Sequence, residues 1–248
     1  MQGMRKKWRS IPHVYRVPYS PGPDNMTDGI DLNALEQRLA PLSHGTEALT
    51  ILRDTLRRFG AVAARQFFLN EHLLCAPIEY DDVQLRLPGP LEPFHILQGD
   101  IVRTDAAYVL GDRQSGNSTY VVATSTCDIV PGRREMAHLL PVVPRRMSDY
   151  DDPQRLRNDL ANLIAFKTTR YFYLPPLPDD EQDVTFNVVL IDPFAQCSNA
   201  ALALAERRAS MTLIGWRIFG ALLRAIQVRE ADEEVSIRRS ALSPGDMG

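Results

Sequence analysis

The chain has 248 residues, 28 basic and 31 acidic side chains, a formal net charge of −3 and 44% hydrophobic residues. That composition describes a globular protein with enough apolar content for one large core or two small ones, and it excludes a strongly basic nucleic-acid coat or polybasic membrane binder, because no global field would gather phosphates. Cys75, Cys127 and Cys197 are too few for a disulfide scaffold and suit a reducing cytoplasm, while no apolar run approaches the roughly 20 residues that cross a bilayer.

Residues 1–30 read as a proline-rich arm. Pro12, Pro18, Pro21 and Pro23 cannot donate backbone hydrogen bonds, and Val14, Tyr15, Val17 and Tyr19 would gain by docking on another surface. Arg5, Lys6, Lys7 and Arg9 are followed by Pro12 and Pro18, not by an apolar stretch, so no secretion signal is expected, and a cytoplasmic location is the expectation. Residues 31–75 read as helical. Asp31 is placed to cap a segment with Leu32, Leu35 and Leu39 on one face and Pro41 at its end. Thr46 is placed to cap a longer helix carrying Leu49, Leu52, Leu56 and Phe59 at three- and four-residue spacing. Gly60 is expected to interrupt it without ending it, so that helix continues through Phe67, Phe68, Leu69, Leu73 and Leu74 as far as Pro77.

Pro77, Pro88, Pro90 and Pro93 then break any long helix, and Val83, Leu85 and Leu87 alternate with polar residues as in a short strand. Strand candidates follow at Asp100–Arg103, Ala106–Leu110, Tyr120–Thr126 and Met136–Val143, with Gly111–Asn117 and Pro131-Gly132 as turns. Closely spaced strands with short turns predict a small, strongly bent barrel. Asp152-Pro153 opens a helix with Leu156, Leu160, Leu163 and Ile164 on one face. Tyr171–Leu174 and Thr185–Ile191 read as strands around a loop with Pro175, Pro176 and Pro178. Residues 199–229 read as helices, with Leu213 or Ile214, Ile218, Leu222 and Ile226 on one face, followed by the acidic Glu230, Asp232, Glu233 and Glu234. The expected organisation is one α+β domain over 31–248: a helical segment over 31–75, a barrel core with an inserted helix over 97–191, and C-terminal helices over 199–229.

Chemistry concentrates at Thr124-Ser125-Thr126-Cys127-Asp128, after the best strand. A nucleophilic thiol needs a cationic neighbour, and adjacent Asp128 works against the thiolate. His138 would come close if the next strand pairs back as a hairpin. The other reading makes Cys127 a buried hydrophobe and Asp128 an acceptor of turn amides. No two cysteines or histidines stand at metal-ligand spacing, so no metal is expected. Walker, dinucleotide-glycine and GxSxG patterns are absent from the sequence, so no small-molecule cofactor is expected. The pairs Arg133-Arg134, Arg145-Arg146 and Arg207-Arg208 match phosphate geometry, but Glu135, Asp149, Asp151 and Asp152 partly cancel their field.

Gly99-Asp100-Ile101-Val102, a loop, and then Tyr120-Val121-Val122-Ala123-Thr124-Ser125 resemble the start of the MazF/PemK-like toxins. The likeness covers residues 97–145. Cys127-Asp128-Ile129, Arg170–Pro175 and the Arg207-Arg208-Ala209-Ser210 helix resemble a divergent bacterial branch of the same type. The resemblance implies a small SH3-like barrel, with helices packed around it here. It also implies metal-independent cleavage of single-stranded RNA by an Arg-Pro pair before the second strand. That place holds Ser118-Thr119, which leaves Arg113, Thr124, Ser125 and Cys127 as the alternative catalytic set. Without the Arg-Pro pair, the expectation is a non-catalytic, MazF-like regulatory module that binds a protein partner. Such modules resemble, by fold type, the MazF-like components of CRISPR-associated antiviral signalling cassettes, which hold a sigma factor until a protease cuts them. Gly111, Asp112, Arg113, Gln114, Ser115 and Gly116, or residues 175–184, would then be the protease-sensitive loop.

Overall fold

Asp31 caps the first helix, α1 (Leu32–Leu39), its carboxylate accepting from Ala34 N. The computed structural model describes residues 30–42, 46–78, 96–114, 116, 118–130, 132–168 and 170–227. The proline-rich arm, the strand expected over Val83–Leu87, Ser115 and the acidic stretch after 229 lie outside the described residues. Helix α2 (Glu47–Arg57) buries Leu49, Leu52 and Leu56 as their spacing predicts, although the Thr46 side chain makes no capping hydrogen bond. Gly60 does end this helical run: it has φ +64°, a conformation that glycine adopts freely, and the chain restarts as α3 (Val62–His72). Leu74 and Cys75 are not helical. They form β1 (Leu74–Cys75).

The strands β2 (Ile101–Thr104), β3 (Tyr108–Val109) and β5 (Ser118–Val122) overlap the expected strands, whereas β4 (Asp112–Arg113) lies inside the stretch expected to be a turn, because Asp112 and Arg113 pair with Val109 and Tyr108. The chain then makes a single turn of helix, α4 (Thr126–Ile129), so the strand expected through Thr126 stops at Val122. Strand β6 (Met136–Arg146) runs longer than expected and ends in a 3-10 turn over Met147–Asp149. Helix α5 (Pro153–Ile164) starts as its Asp-Pro signal predicts, with Asp152 accepting from Gln154 N and Pro153 in the first turn. Strands β7 (Tyr171–Leu174) and β8 (Val184–Leu190) match their expectation, and β9 (Ala195–Ser198) and the short α6 (Asn199–Leu202) follow. The region expected to be C-terminal helices contains β10 (Glu206–Met211) before α7 (Leu213–Gln227), so the Arg207–Ser210 segment is strand.

The protein is mixed α+β with one large antiparallel sheet. Its hydrogen-bonded order is β1-β10-β2-β5-β6-β9-β3-β4, with β8 on β6 and β7 on β8. Strand β6 is the hub: residues 139–141 pair with β5, residues 136–139 with β9, and residues 142–146 with β8. The last strand, β10, returns beside β2, while β3, in the connection from β2 to β5, reaches across to β9. The path is strongly curled, but among the described residues it does not close into a barrel. Strands β9 and β10 also carry the sheet past the 97–191 span expected for it.

Alternate residues of the same strands enter two cores, as the two-residue period of a strand dictates. Ile101, Val121 and Leu140 face the larger core with Leu49, Leu52, Phe172, Phe186, Ile218 and Leu222 of the surrounding elements. Val102, Tyr120, Val122, Ala137, Leu139, Ala195 and Cys197 face a smaller core inside the curl, closed by Ile96, Ile129 and Leu202. Full burial of each Val or Leu contributes about 1.5–3 kcal/mol, so the central strands are held from both sides.

Candidate functional site

The Thr124–Asp128 turn sits where β5 hands over to α4, and long-range hydrogen bonds fix it. The buried Thr124 hydroxyl accepts from His138 N at 2.6 Å, and Thr126 Oγ1 accepts from Gln98 N at 2.9 Å. The Gln98 side-chain amide donates to Ala123 O at 2.8 Å and accepts from Trp216 Nε1 at 3.0 Å, which ties α7 to the same turn. Cys127 is exposed, not buried as one reading had it, and its thiol lies 3.1 Å from the Ser125 hydroxyl. Strands β5 and β6 do pair back, yet His138 is joined to Ala123 and Thr124 through its backbone, and its ring packs against Phe194 with centroids 5.7 Å apart. Asp128 forms an ion pair with Arg134 at 3.1 Å. The thiol therefore has a neutral hydrogen-bond partner, whereas a nucleophile needs a base or a cation there.

Arg113 is held elsewhere on the sheet. Its guanidinium bonds Asp105 through Nη2 to the carboxylate at 3.1 Å and through Nε to the backbone oxygen at 3.0 Å. Cross-strand register links Arg113 to Tyr108, Tyr108 to Gln196, and Gln196 to His138. Paired residues share a face, so these four side chains line one exposed row. Three strand spacings, roughly 14 Å along the sheet, separate the Arg113 backbone from that of His138. The structure thus brings Thr124, Ser125 and Cys127 together and leaves Arg113 apart.

Residues 111–114 are part of the β3–β4 hairpin. Asp112 and Arg113 form β4, and Gln114 N donates to Ala107 O at 2.8 Å. At its tip Leu110 has φ 52° and Gly111 φ 93°, and Leu110 is 96% exposed. Residues 175–184 are pinned as well. Asp180 accepts from Leu177 N at 2.7 Å and from Asn187 Nδ2 at 2.6 Å, while Glu181 and Asp183 hold Arg146 at 3.0 and 3.2 Å.

Each arginine pair has at least one member in an ion pair. Arg207 pairs with a buried carboxylate: its Nε lies 2.9 Å from Asp100, itself only 1% exposed. Asp100 also accepts from Ser210 Oγ at 2.6 Å and from Leu97 N at 2.9 Å. Ser210 Oγ in turn accepts from Ile78 N at 3.0 Å, and Arg207 donates to Ile78 O at 2.7 Å. Burial pushes the Asp100 carboxyl above its ordinary pKa, against the opposing pull of Arg207 and these hydrogen bonds. Burial also raises the neighbouring Cys75 thiol, and Asp100 adds to that rise. This cluster sits between strands and holds the fold. Its members are polar residues spread over more than a hundred positions, and of them only the Gly99-Asp100 start and the Arg207-Arg208 pair stand out in the sequence.

Among the described residues no group of three or more His, Cys, Asp or Glu side chains could hold a metal ion, and no helix is long and apolar enough to cross a membrane. No protein-family model matches the chain, and no curated protein matches it.

Proposed function

We propose that this chain is a non-catalytic, MazF-like protein-binding module whose β3–β4 hairpin is the element offered to a protein partner. The observation that carries the reading is Leu110. A leucine at positive φ costs on the order of 1 kcal/mol or more relative to an ordinary backbone conformation, and at 96% exposure no burial among the described residues offsets that cost. A large apolar side chain held out at a hairpin tip, beside the exposed Tyr108, is the form of an anchor that fills a pocket on another protein. The curled meander, with β10 returning beside β2 and β3 reaching across to β9, supports kinship with small bent barrels. Ribonuclease chemistry needs a cation at the scissile phosphate beside an activating group. The separation of Arg113 from Thr124 and Cys127, and its pairing with Asp105, make RNA cleavage the weaker reading.

The test is retention of bound material from the native host's lysate by the wild-type chain and by Leu110→Gly, a variant suited to the positive φ. A stoichiometric protein held by the wild type and lost by the variant, with unchanged thermal unfolding, supports the module. Equal retention by both removes the hairpin from the reading. Bound RNA without protein favours the ribonuclease, and Arg113→Ala would then abolish cleavage.

A further inference from the structure

The row that begins at Arg113 runs past the hairpin onto the body of the sheet. Tyr108, Gln196 and His138 are exposed, and the half-buried Phe194 lies against the His138 ring with centroids 5.7 Å apart. Met136 stands two residues before His138 on β6, so it shares that face, and it is exposed as well. The opposite face of the same strands is closed, because Ala137, Leu139, Ala195 and Cys197 fill the smaller core without exposure. The charge of the row is as informative as its exposure. Arg113 ends it in an ion pair with Asp105, and no arginine, lysine or carboxylate stands in it between Arg113 and His138. A nucleic-acid backbone needs unpaired cations along its path, whereas aromatic rings and an amide match a protein surface that is apolar and carries an occasional hydrogen-bonding group.

We propose that the sheet face from Tyr108 across Gln196 to His138 and Phe194 is the main docking surface for a protein partner whose contact face is apolar and uncharged, with Leu110 as its outlying anchor. The inference rests on the reading of the hairpin as the element offered to a partner, and it extends that reading in area and in chemistry. Tyr108 belongs both to the hairpin and to the row, so a partner seated on Leu110 and Tyr108 meets Gln196 one strand further on, about 5 Å away. A specific interface takes about 800 Å² from each partner. The tip of a two-residue turn is too small to supply that, and the adjoining sheet face is the exposed surface continuous with it. The packed core behind the row keeps the face in place, so a partner need not order it on binding.

The experiment is carbethoxylation of histidines with diethyl pyrocarbonate, read by mass spectrometry on the full chain alone and on the complex it retains from the host lysate. His72, which packs on Phe68 of α3, is the internal reference. In the free chain His138 should label readily. Strong protection there would mean that the chain covers its own face, and would overturn the proposal. In the complex, with the partner at about ten times its Kd, labelling of His138 should fall about tenfold while that of His72 is unchanged. A second variant sets protein against RNA. Gln196→Lys places an unpaired charge in the middle of the row, so it should weaken a protein partner about tenfold or more with unchanged thermal unfolding. Bound RNA that is held more tightly by Gln196→Lys, with no protein retained, overturns the proposal. A protein that is lost with Leu110→Gly, yet survives Gln196→Lys and leaves His138 open to label, keeps the hairpin reading and removes this face from it. No retained protein or RNA removes both.

Discussion

Replacing Arg207 with glutamine removes the one full positive charge paired with a carboxylate that is 1% exposed. Asp100 would keep its hydrogen bonds from Leu97 N and Ser210 Oγ but lose its counter-ion. Stripping one partner from a buried ion pair costs about 3–5 kcal/mol, and the Arg207 side chain is only 12% exposed, so solvent screening reduces this little. The Arg207 bond to Ile78 O adds about 1 kcal/mol. The loss should depend on pH with a definite sign. In the wild type, burial already holds the Asp100 pKa above 3.8, so its contribution to stability is fully present below that value and is lost as pH rises through the folded-state pKa. Without Arg207 the folded-state pKa moves higher still and the window widens toward neutrality. Part of the lost stability should then return on acidification, at up to about 1.4 kcal/mol per pH unit within that window. Urea unfolding of both proteins near neutral pH, and again about two units lower, measures the effect. A loss under about 1 kcal/mol at neutrality, or the same loss at both pH values, would refute the view that Asp100 and Arg207 form an electrostatic anchor.

Three further outcomes are expected. Gly215→Ala should destabilise by about 1–3 kcal/mol in chemical denaturation, because a Cβ there would overlap the Leu73 carbonyl oxygen and push α7 off the end of α3. Leu110→Gly should leave thermal stability unchanged or raise it by up to about 1 kcal/mol, since it relieves the positive φ and removes no buried surface; a clear loss would mean that the tip packs in solution. In alkylation followed by mass spectrometry, exposed Cys127 should label first in the native protein. Cys197, buried and with its thiol pKa pushed up by burial, should label only on unfolding.

What the sequence makes legible is what it encodes locally. Asp31 and Asp152 announce α1 and α5 because a carboxylate at a helix start accepts nearby free amides, and both do so. The Leu49, Leu52, Leu56 stripe is readable because helical spacing alone places it on one face. Strand β10 is the opposite case. Glu206-Arg-Arg-Ala-Ser-Met211 holds no β-branched or aromatic residue, and its intrinsic preference is helical. It is a strand because β2 supplies hydrogen-bond partners on one edge and β1 on the other, and because Ala209 is small enough to enter the larger core. The same limit applies to the candidate site. Thr124, Ser125 and Cys127 can be singled out by residue type, but the partners that commit Thr124 and Arg113 are His138 N and Asp105, and pairing of that kind is a property of the folded chain.

The distribution of buried surface argues for where function lies. Strands β2, β5 and the middle of β6 place residues in a core on each face, so residues 101–102, 120–122 and 139–140 are covered on both sides. Along the row from β6, exposure returns toward β9, β3 and β4, where Gln196, Tyr108 and Arg113 face outward while Ala195, Cys197 and Ala107 fill the smaller core. Strand β4 is also an end of the pairing order, so one edge of its backbone has no strand beside it among the described residues. An edge that carries Asp112 and Arg113 is guarded by charge against indiscriminate strand addition. Leu110 is outside that guard, at the tip. A partner that recognised the edge backbone would be sensitive to Asp112 and Arg113, whereas one that accepts the tip would be sensitive to Leu110 and Tyr108. Comparing partner retention in Leu110→Gly with that in a paired Asp112→Lys, Arg113→Glu swap therefore separates docking by a side-chain anchor from docking by strand addition.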